Sequence, residues 1–238
     1  EEARPAAKHV LWKKVASPIT ADELLGAIRQ RIKDFGYDPS RVLFELFQNA
    51  DDATHQHPVS TEARFRLEYG DDRLSISHWG RLINHPGPDV EDGIKKGWRS
   101  DLFNMLLMNL SEKREDVTGR FGLGFKSVHL LSKRVSIASH FVSCRIKGGM
   151  LPEAWAEGRE LSVRRGADGR PATVIEAEIE PERREDAGRA LAAFRQAVPW
   201  LPAMSRSVRH IEIDGSGDWF AEFHELDAQR IRLLSFGG

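Results

Sequence analysis

What the chain lacks narrows it first. Cysteine occurs once, at Cys144, so no internal disulfide can form and a thiolate metal cluster has no second ligand. That usage suits a reducing cytosol, and cytoplasmic residence is the expectation. Charge of one sign is not in excess: Lys plus Arg number 35 against 36 Asp plus Glu, so no overall field draws the chain to nucleic acid or anionic lipid. Long apolar runs are missing too. No stretch approaches the roughly 18 apolar residues of a membrane span, and the opening EEARPAAKHVLWKKVASPIT has no continuous apolar core. Neither a membrane anchor nor a signal peptide is expected. Internal repeats, low-complexity tracts and a flexible linker are absent, so one continuous domain is expected over 21–238, after an N-terminal extension of residues 1–20. No G-x-S-x-G and no Cys–His pair suggests a nucleophilic hydrolase.

What is present is a sizeable apolar fraction and a clear succession of periodic segments. Thr20 with Glu23 makes a capping box before ADELLGAIRQRIKDF, in which Leu24, Leu25, Ile28 and Ile32 share one helical face. Asp38-Pro39-Ser40 opens a second helix running to about His55, with Ser40 as cap and Leu43, Leu46, Phe47 and Ala50 at helical spacing. EARFRLEY and RLSISHW alternate in polarity across Gly70-Asp71-Asp72, which predicts an antiparallel hairpin. VEDGIKKGW and SDLFNMLLMNL read as helical, and the polar stretch SEKREDVTGRFGLG leads into a helix, FKSVHLL. RVSIASHFVSCRIK, ELSVRR, ATVIEAEIE and VRHIEID read as strands, with RREDAGRALAAFRQAV as a helix among them. Helices gather early and strands late, which favours an α+β two-layer sandwich over a doubly wound parallel sheet. Trp98, Trp155, Trp200 and Trp219 have no spacing that suggests a stacking platform, so core packing is expected. His140, His210 and His224 are dispersed along the chain, and no metal site is expected from them.

Two segments carry chemistry. In LFELFQNADDA, spacings of four and three put Glu45, Asn49 and Asp52 on one helix face, opposite Leu43, Leu46 and Phe47. That polar face either meets solvent or lines a pocket. Beside a metal-bound triphosphate, a fixed carboxylate such as Glu45 can orient and deprotonate water, and a neutral Asn49 oxygen can ligate Mg²⁺ without adding charge. The second segment, TGRFGLGFKSV, sets Gly119, Gly122 and Gly124 before an apolar helix, where small residues allow backbone N–H groups to crowd a phosphate. An ordinary Gly-rich turn is the competing reading.

The two segments together, in this order, resemble the GHKL superfamily (gyrase, heat-shock chaperone, histidine kinase, MutL). E-x-x-x-N-x-x-D-A, here Glu45, Asn49, Asp52 and Ala53, is similar to that family's N-box, and GRFGLGFKSV is similar to its glycine box. The wording is nearest the sacsin-like and ninety-kilodalton heat-shock chaperone branches. The resemblance covers about residues 24–180. It implies a Bergerat-type sandwich, a mixed and mostly antiparallel sheet with helices on one face, holding ATP and Mg²⁺. Residues 181–238 either complete the sheet or begin a linker. By the same resemblance Glu45 positions water, Asn49 holds the metal, and Gly119, Arg120, Phe121, Gly122, Leu123, Gly124, Phe125 and Lys126 surround the phosphates. Lys113 lies where relatives often carry a lysine near a lid. Arg120, Lys126 and Lys113 can equally be solvated surface charges.

One box departs from the family pattern. Where D-x-G-x-G is usual, the chain has His78-Trp79-Gly80-Arg81-Leu82, keeping Gly80 but replacing the adenine-binding Asp. A neutral imidazole can accept one hydrogen bond, so His78 is expected to accept from the adenine amino group and to lose that ability as it titrates near about 6.5. A strand-end His facing solvent is the alternative. Thr173, in GRPATVIEAEIE, corresponds to the family's third box, though Thr is also simply a good strand residue. The resemblance therefore implies slow Mg-dependent ATP hydrolysis to ADP, driving lid closure that other domains of a longer chain or a second copy would feel. A module that binds ATP without turnover is the rival from another class. A histidine-kinase catalytic domain is disfavoured, since no helical hairpin with an exposed phosphoacceptor His is evident.

Overall fold

Ser17 and Pro18 open the first helix, α1 (Pro18–Asp34): the Ser17 hydroxyl accepts from the Thr20 amide at 3.3 Å, and Pro18 brings a preset φ to the first turn. The cap is therefore Ser17, and the capping box expected at Thr20 and Glu23 is corrected. Residues 17–20 belong to the fold rather than to an extension. The computed structural model describes residues 17–56, 63–70, 72–107, 124–140, 142–161, 170–215, 219–227 and 230–237. Helix α1 buries Ala21, Leu25, Ile28 and Ile32, with Leu24 at the margin. Next comes a 3₁₀ turn, Pro39–Arg41, capped by Asp38, whose Oδ1 accepts from Ser40 N at 2.8 Å; Ser40 is inside the turn and is not the cap. Helix α2 (Val42–His55) follows directly and ends where its periodicity predicts.

The strands are β1 (Arg64–Gly70), β2 (Arg73–His78), β3 (Arg134–Ser139), β4 (Val142–Lys147), β5 (Leu151–Ala154), β6 (Thr173–Glu178), β7 (His210–Gly215), β8 (Trp219–Asp227) and β9 (Arg230–Gly237). They form one sheet in the order β5-β4-β3-β6-β2-β1-β7-β8-β9, antiparallel throughout except for the parallel pair β1–β7. The fold is thus α+β, with a mixed and mostly antiparallel sheet. Residues after 180 complete the sheet. Strand β5 and the closing hairpin β8–β9 were not foreseen as separate strands.

Register explains where the core lies. Cys144, Ile137, Ile175, Ile76, Leu67 and Ile213 are direct cross-strand partners in one row from β4 to β7, and all are buried. Side chains alternate across a strand, so this row and its i±2 neighbours form one apolar face. Against that face pack α1, α2 and helix α5 (Arg184–Ala197), whose Ile28, Leu46 and Phe194 join the same cluster. Ala138 and Val174, one residue out of phase, form a smaller cluster on the other face with Trp155.

Shorter elements depart from expectation. Phe125–Leu130 is a buried 3₁₀ helix, not an α-helix: Ser127 N and Ser127 Oγ both donate to Gly124 O, at 3.2 and 2.6 Å, which tightens the turn to i→i+3 bonding. Helices α3 (Val90–Lys95) and α4 (Asp101–Leu106) are brief, and helix α6 (Leu201–Met204) is a single turn. In ELSVRR, Glu160 closes a 3₁₀ turn, Glu157–Glu160, and residues 162–165 lie outside the described residues. Of the tryptophans, Trp155 is core but Trp200 is exposed, which corrects the expectation of core packing there.

Phe194 of α5 meets Phe44 and Phe47 of α2 and Phe65 of β1 with ring centroids 5.3, 6.0 and 5.8 Å apart. It joins the two layers behind the polar face of α2. Phe194→Ala is expected to cost about 3–5 kcal/mol in urea unfolding, through lost burial and the cavity left behind. A loss below about 1 kcal/mol would show that these rings do not hold α2 in place.

Candidate functional site

Helix α2 presents Glu45, Gln48, Asn49, Asp52 and Ala53, with Gln56 just past its end, to a cavity of about 460 Å³. Across it stand Asp101, Asn104 and Met105 of α4, with Tyr37, Gly124 and Phe125 toward the Glu45 end. The floor comes from the sheet, through His78, Thr173 and Ile175. Segments far apart in sequence are thereby brought together: the helix face, the last glycine of the glycine segment, and two strand ends.

The contact between the two motif segments is close. A Cβ built on Gly124 would come within 2.8 Å of Glu45 Oε2, so a side chain here would make the Glu45 carboxylate swing aside, while the φ of −51° is ordinary. Glu45 is half-buried, and burial pushes its pKa up, opposed by the nearby Arg41. Tyr37 is raised as well, first by burial and then by the Glu45 charge, which makes it a neighbour of that carboxylate. Asp52 is raised by burial despite Arg206, whose Nη1 lies 3.4 Å from Asp52 Oδ1. Its neighbour Asp51 has a separate task. Buried on the other side of α2, it accepts from the amides of Arg206, Ser207 and Val208, each at 2.8 Å, and so ties α2 to the entry of β7.

The floor is a small buried polar network. His78 and Thr173 are direct partners across β2 and β6. Thr173 Oγ1 and Ser139 Oγ are 2.9 Å apart, and Ser139 Oγ accepts from Ile83 N at 3.0 Å. His78 Nδ1 accepts from Gly80 N at 3.2 Å. Burial, helped by the Arg81 charge, holds the His78 ring neutral with a pKa of about 4. The expected titration near 6.5 is therefore corrected, and so is the solvent-facing alternative. Gly80 lies flush against α2: a Cβ there would meet Thr54 N at 2.5 Å and the Ala53 carbonyl carbon at 2.6 Å, and Arg81 N donates to Ala53 O at 2.8 Å.

Arg81 is a wall residue that motif reading passed over. Its guanidinium is buried, forks onto both Asp101 oxygens at 2.7 and 3.1 Å, reaches Gln56 Oε1 at 2.9 Å and His85 O at 2.6 Å, and stacks over Trp98 at 4.4 Å. Trp98 thus serves this cation rather than a deep core. The signal in sequence was slight: an Arg directly after a retained Gly. Tyr37 gave none, standing alone between two helices.

Other expected residues are elsewhere. Lys126 is wholly buried and turns away from the cavity, its ammonium donating to Leu106 O and, at 3.5 Å, to Gly149 O; burial lowers its pKa to about 8. The phosphate-reaching role expected for it is corrected, because its ammonium is turned to one carbonyl at the end of α4 and one in the turn between β4 and β5. Lys113, Gly119, Arg120, Phe121, Gly122 and Leu123 lie outside the described residues. His210 and His224, far apart in the sequence, both reach Glu222, at 2.8 Å each, and among the described residues no group of three or more His, Cys, Asp or Glu could hold a metal ion.

Fold and cavity define a class: an α+β sandwich with a ligand-sized chamber between its sheet and its helical layer. A scan of protein-family models found none that matches the chain, and a search of curated proteins found no match. No helix among the described residues is long and apolar enough to cross a membrane.

Two expectations follow. His78 and His129 are both buried with pKa values of about 4, below the ordinary 6.5. The unfolded chain therefore binds protons first, and stability is full above about pH 6.5 and falls as pH drops toward 4. Each ring should cost roughly 2 kcal/mol by pH 5, read from urea midpoints between pH 7.5 and 5. A flat profile would show that the rings are not held neutral. Gly80→Ala should destabilise by about 1–3 kcal/mol, since backbone rather than a movable side chain blocks the new methyl; unchanged thermal unfolding would remove the close approach from the account.

Proposed function

We propose that this chain binds Mg-ATP in the cavity beneath α2 and hydrolyses it slowly to ADP and phosphate, as the GHKL resemblance implies. One observation carries the reading: Glu45, Asn49, Asp52, His78, Gly124 and Thr173, chosen from separate motifs, line one cavity. The cavity's size, and its mix of a polar helix face with Ile83, Met105, Phe125 and Ile175, suit a ligand with a flat apolar part and a charged tail.

The donor set fits Mg²⁺ in a restricted way. Asn49 offers one hard, neutral oxygen on the face shared with Glu45, as suits an ion that arrives with phosphates and keeps several waters. When bound, the ion would offset phosphate charge. Glu45 is the group that works on water: its burial raises its proton affinity, and a carboxylate pKa moved toward neutrality makes a better base. Gly124 leaves room for that carboxylate. Closure of neighbouring segments and its effect on other domains or a second copy belong to the same proposal, as does the rival reading of binding without turnover.

Calorimetry and a turnover assay separate the roles. Asn49→Ala should weaken Mg-ATP binding about 10–100-fold, the loss expected of a charge-assisted contact. Glu45→Ala should hold affinity within about threefold and lose about 10²–10⁴ in kcat. Full affinity in Asn49→Ala would remove the metal assignment. Normal turnover in Glu45→Ala would remove the base, and wild-type binding with no turnover would favour the gated module.

A further inference from the structure

Glycines in this fold lack a side chain for different reasons. At Gly80 and Gly93 a Cβ would run into backbone atoms, of α2 and of Pro86, so the fold itself needs the space. Gly124 differs: its chain neighbours aside, a Cβ there would meet Glu45 alone among the described residues, with Oε2 at 2.8 Å and Cδ at 3.9 Å. Its backbone, at φ −51° and ψ −60°, lies in the helical region that alanine adopts freely, and alanine would keep the amide N–H. Neither conformation nor a lost donor accounts for glycine at this position. What a methyl group would change is the space beside one carboxylate.

Gly124 cannot back away from that carboxylate. Its carbonyl accepts from the Ser127 amide at 3.2 Å and from the Ser127 hydroxyl at 2.6 Å, and the residues that follow, Phe125 to Leu130, are all buried. Glu45 is the movable partner. Half-buried in the first turn of α2, it feels the Arg41 charge, but its carboxylate makes no hydrogen bond among the described residues. Packing against Gly124 is what places it.

We propose that Gly124 and Ser127 are positioning residues for Glu45, and that the missing side chain at residue 124 serves the carboxylate rather than a phosphate. The phosphate contact that the glycine-box resemblance gives Gly124 is replaced by this role. The inference rests on reading Glu45 as the group that works on water, and adds how that group is aimed. Because the blocked atom is the free end of a flexible side chain, Gly124→Ala is absorbed by rotation of Glu45, whereas at Gly80 backbone blocks the methyl. A displacement on the order of 1 Å is enough to cost about 10²-fold in rate.

The test measures thermal unfolding, Mg-ATP affinity and turnover on wild type, Gly124→Ala, Glu45→Ala and the double variant. Gly188→Ala in α5 is the control, since a Cβ there meets nothing within 4 Å. Gly124→Ala is expected to fold and melt as wild type does, to hold affinity within about threefold and to lose about 10–100-fold in kcat. The double variant should lose no more than Glu45→Ala alone, as residues that act as one unit do. Ser127→Ala removes one of the two donors to Gly124 O and should show the same split at about threefold to tenfold; it decides the matter if Gly124→Ala does not fold. A crystal structure of ligand-free Gly124→Ala should show the Glu45 carboxylate rotated away over an unmoved α2 backbone. A tenfold loss of affinity with kcat kept would assign Gly124 to the phosphates and overturn the proposal. So would an unchanged kcat, losses that multiply in the double variant, or a carboxylate still in its wild-type place. A wild-type chain that does not bind or turn over Mg-ATP would instead overturn the hydrolysis reading, and this inference with it.

Discussion

The contact on which the site depends is the one between Gly80 and the backbone of α2. With no Cβ at residue 80, the end of β2 can touch the helix at Ala53 and Thr54, and a methyl group there would stand 2.5 Å from a backbone nitrogen. The approach lets Arg81 N bond Ala53 O, sends the Arg81 side chain along the wall to Asp101, and aims the Gly80 amide back at His78. Helix position, wall cation and the His78 hydrogen bond are consequences of one missing side chain. Asp51 completes the fixation from the far side of α2 by holding three amides of residues 206–208. Because a buried carboxylate bonded to several amides is costly to disrupt, the helix cannot shift without losing both anchors.

Burial divides the cavity into two environments. The helix wall is half-open, and the proton affinity of Glu45 and Asp52 there is raised by partial burial. At the sheet floor, His78, Thr173 and Ser139 are fully enclosed, and their hydrogen-bonding groups are set against one another with little freedom. Charge chemistry suits the first environment, and discrimination between donors and acceptors suits the second, where an unmatched group has no water to fall back on. The same economy explains Lys126, whose ammonium is satisfied by carbonyls and so is withdrawn from the cavity although it directly follows the glycine segment.

Local pattern in the sequence determined a good deal. Helical spacing put Glu45, Asn49 and Asp52 on one face of α2, alternation marked the β1–β2 hairpin, and the succession of segments indicated an α+β sheet; each is a short-range property, set by 3.6- and 2-residue periods that operate within an element. Caps were read less well, because Ser17 and Asp38 compete with nearby Thr20 and Ser40 and backbone geometry chooses between them. What only the tertiary structure decided involves pairs distant in the chain: that Gly124 leaves space for Glu45, that Arg81 joins Asp101, that Lys126 faces inward, that β8 and β9 extend the sheet, and that Gly80, pressed on α2, donates to the His78 ring. The physical reason is that the chemical state of a buried group is set by the atoms packed around it, and those atoms come from elements brought together by folding rather than by sequence neighbourhood.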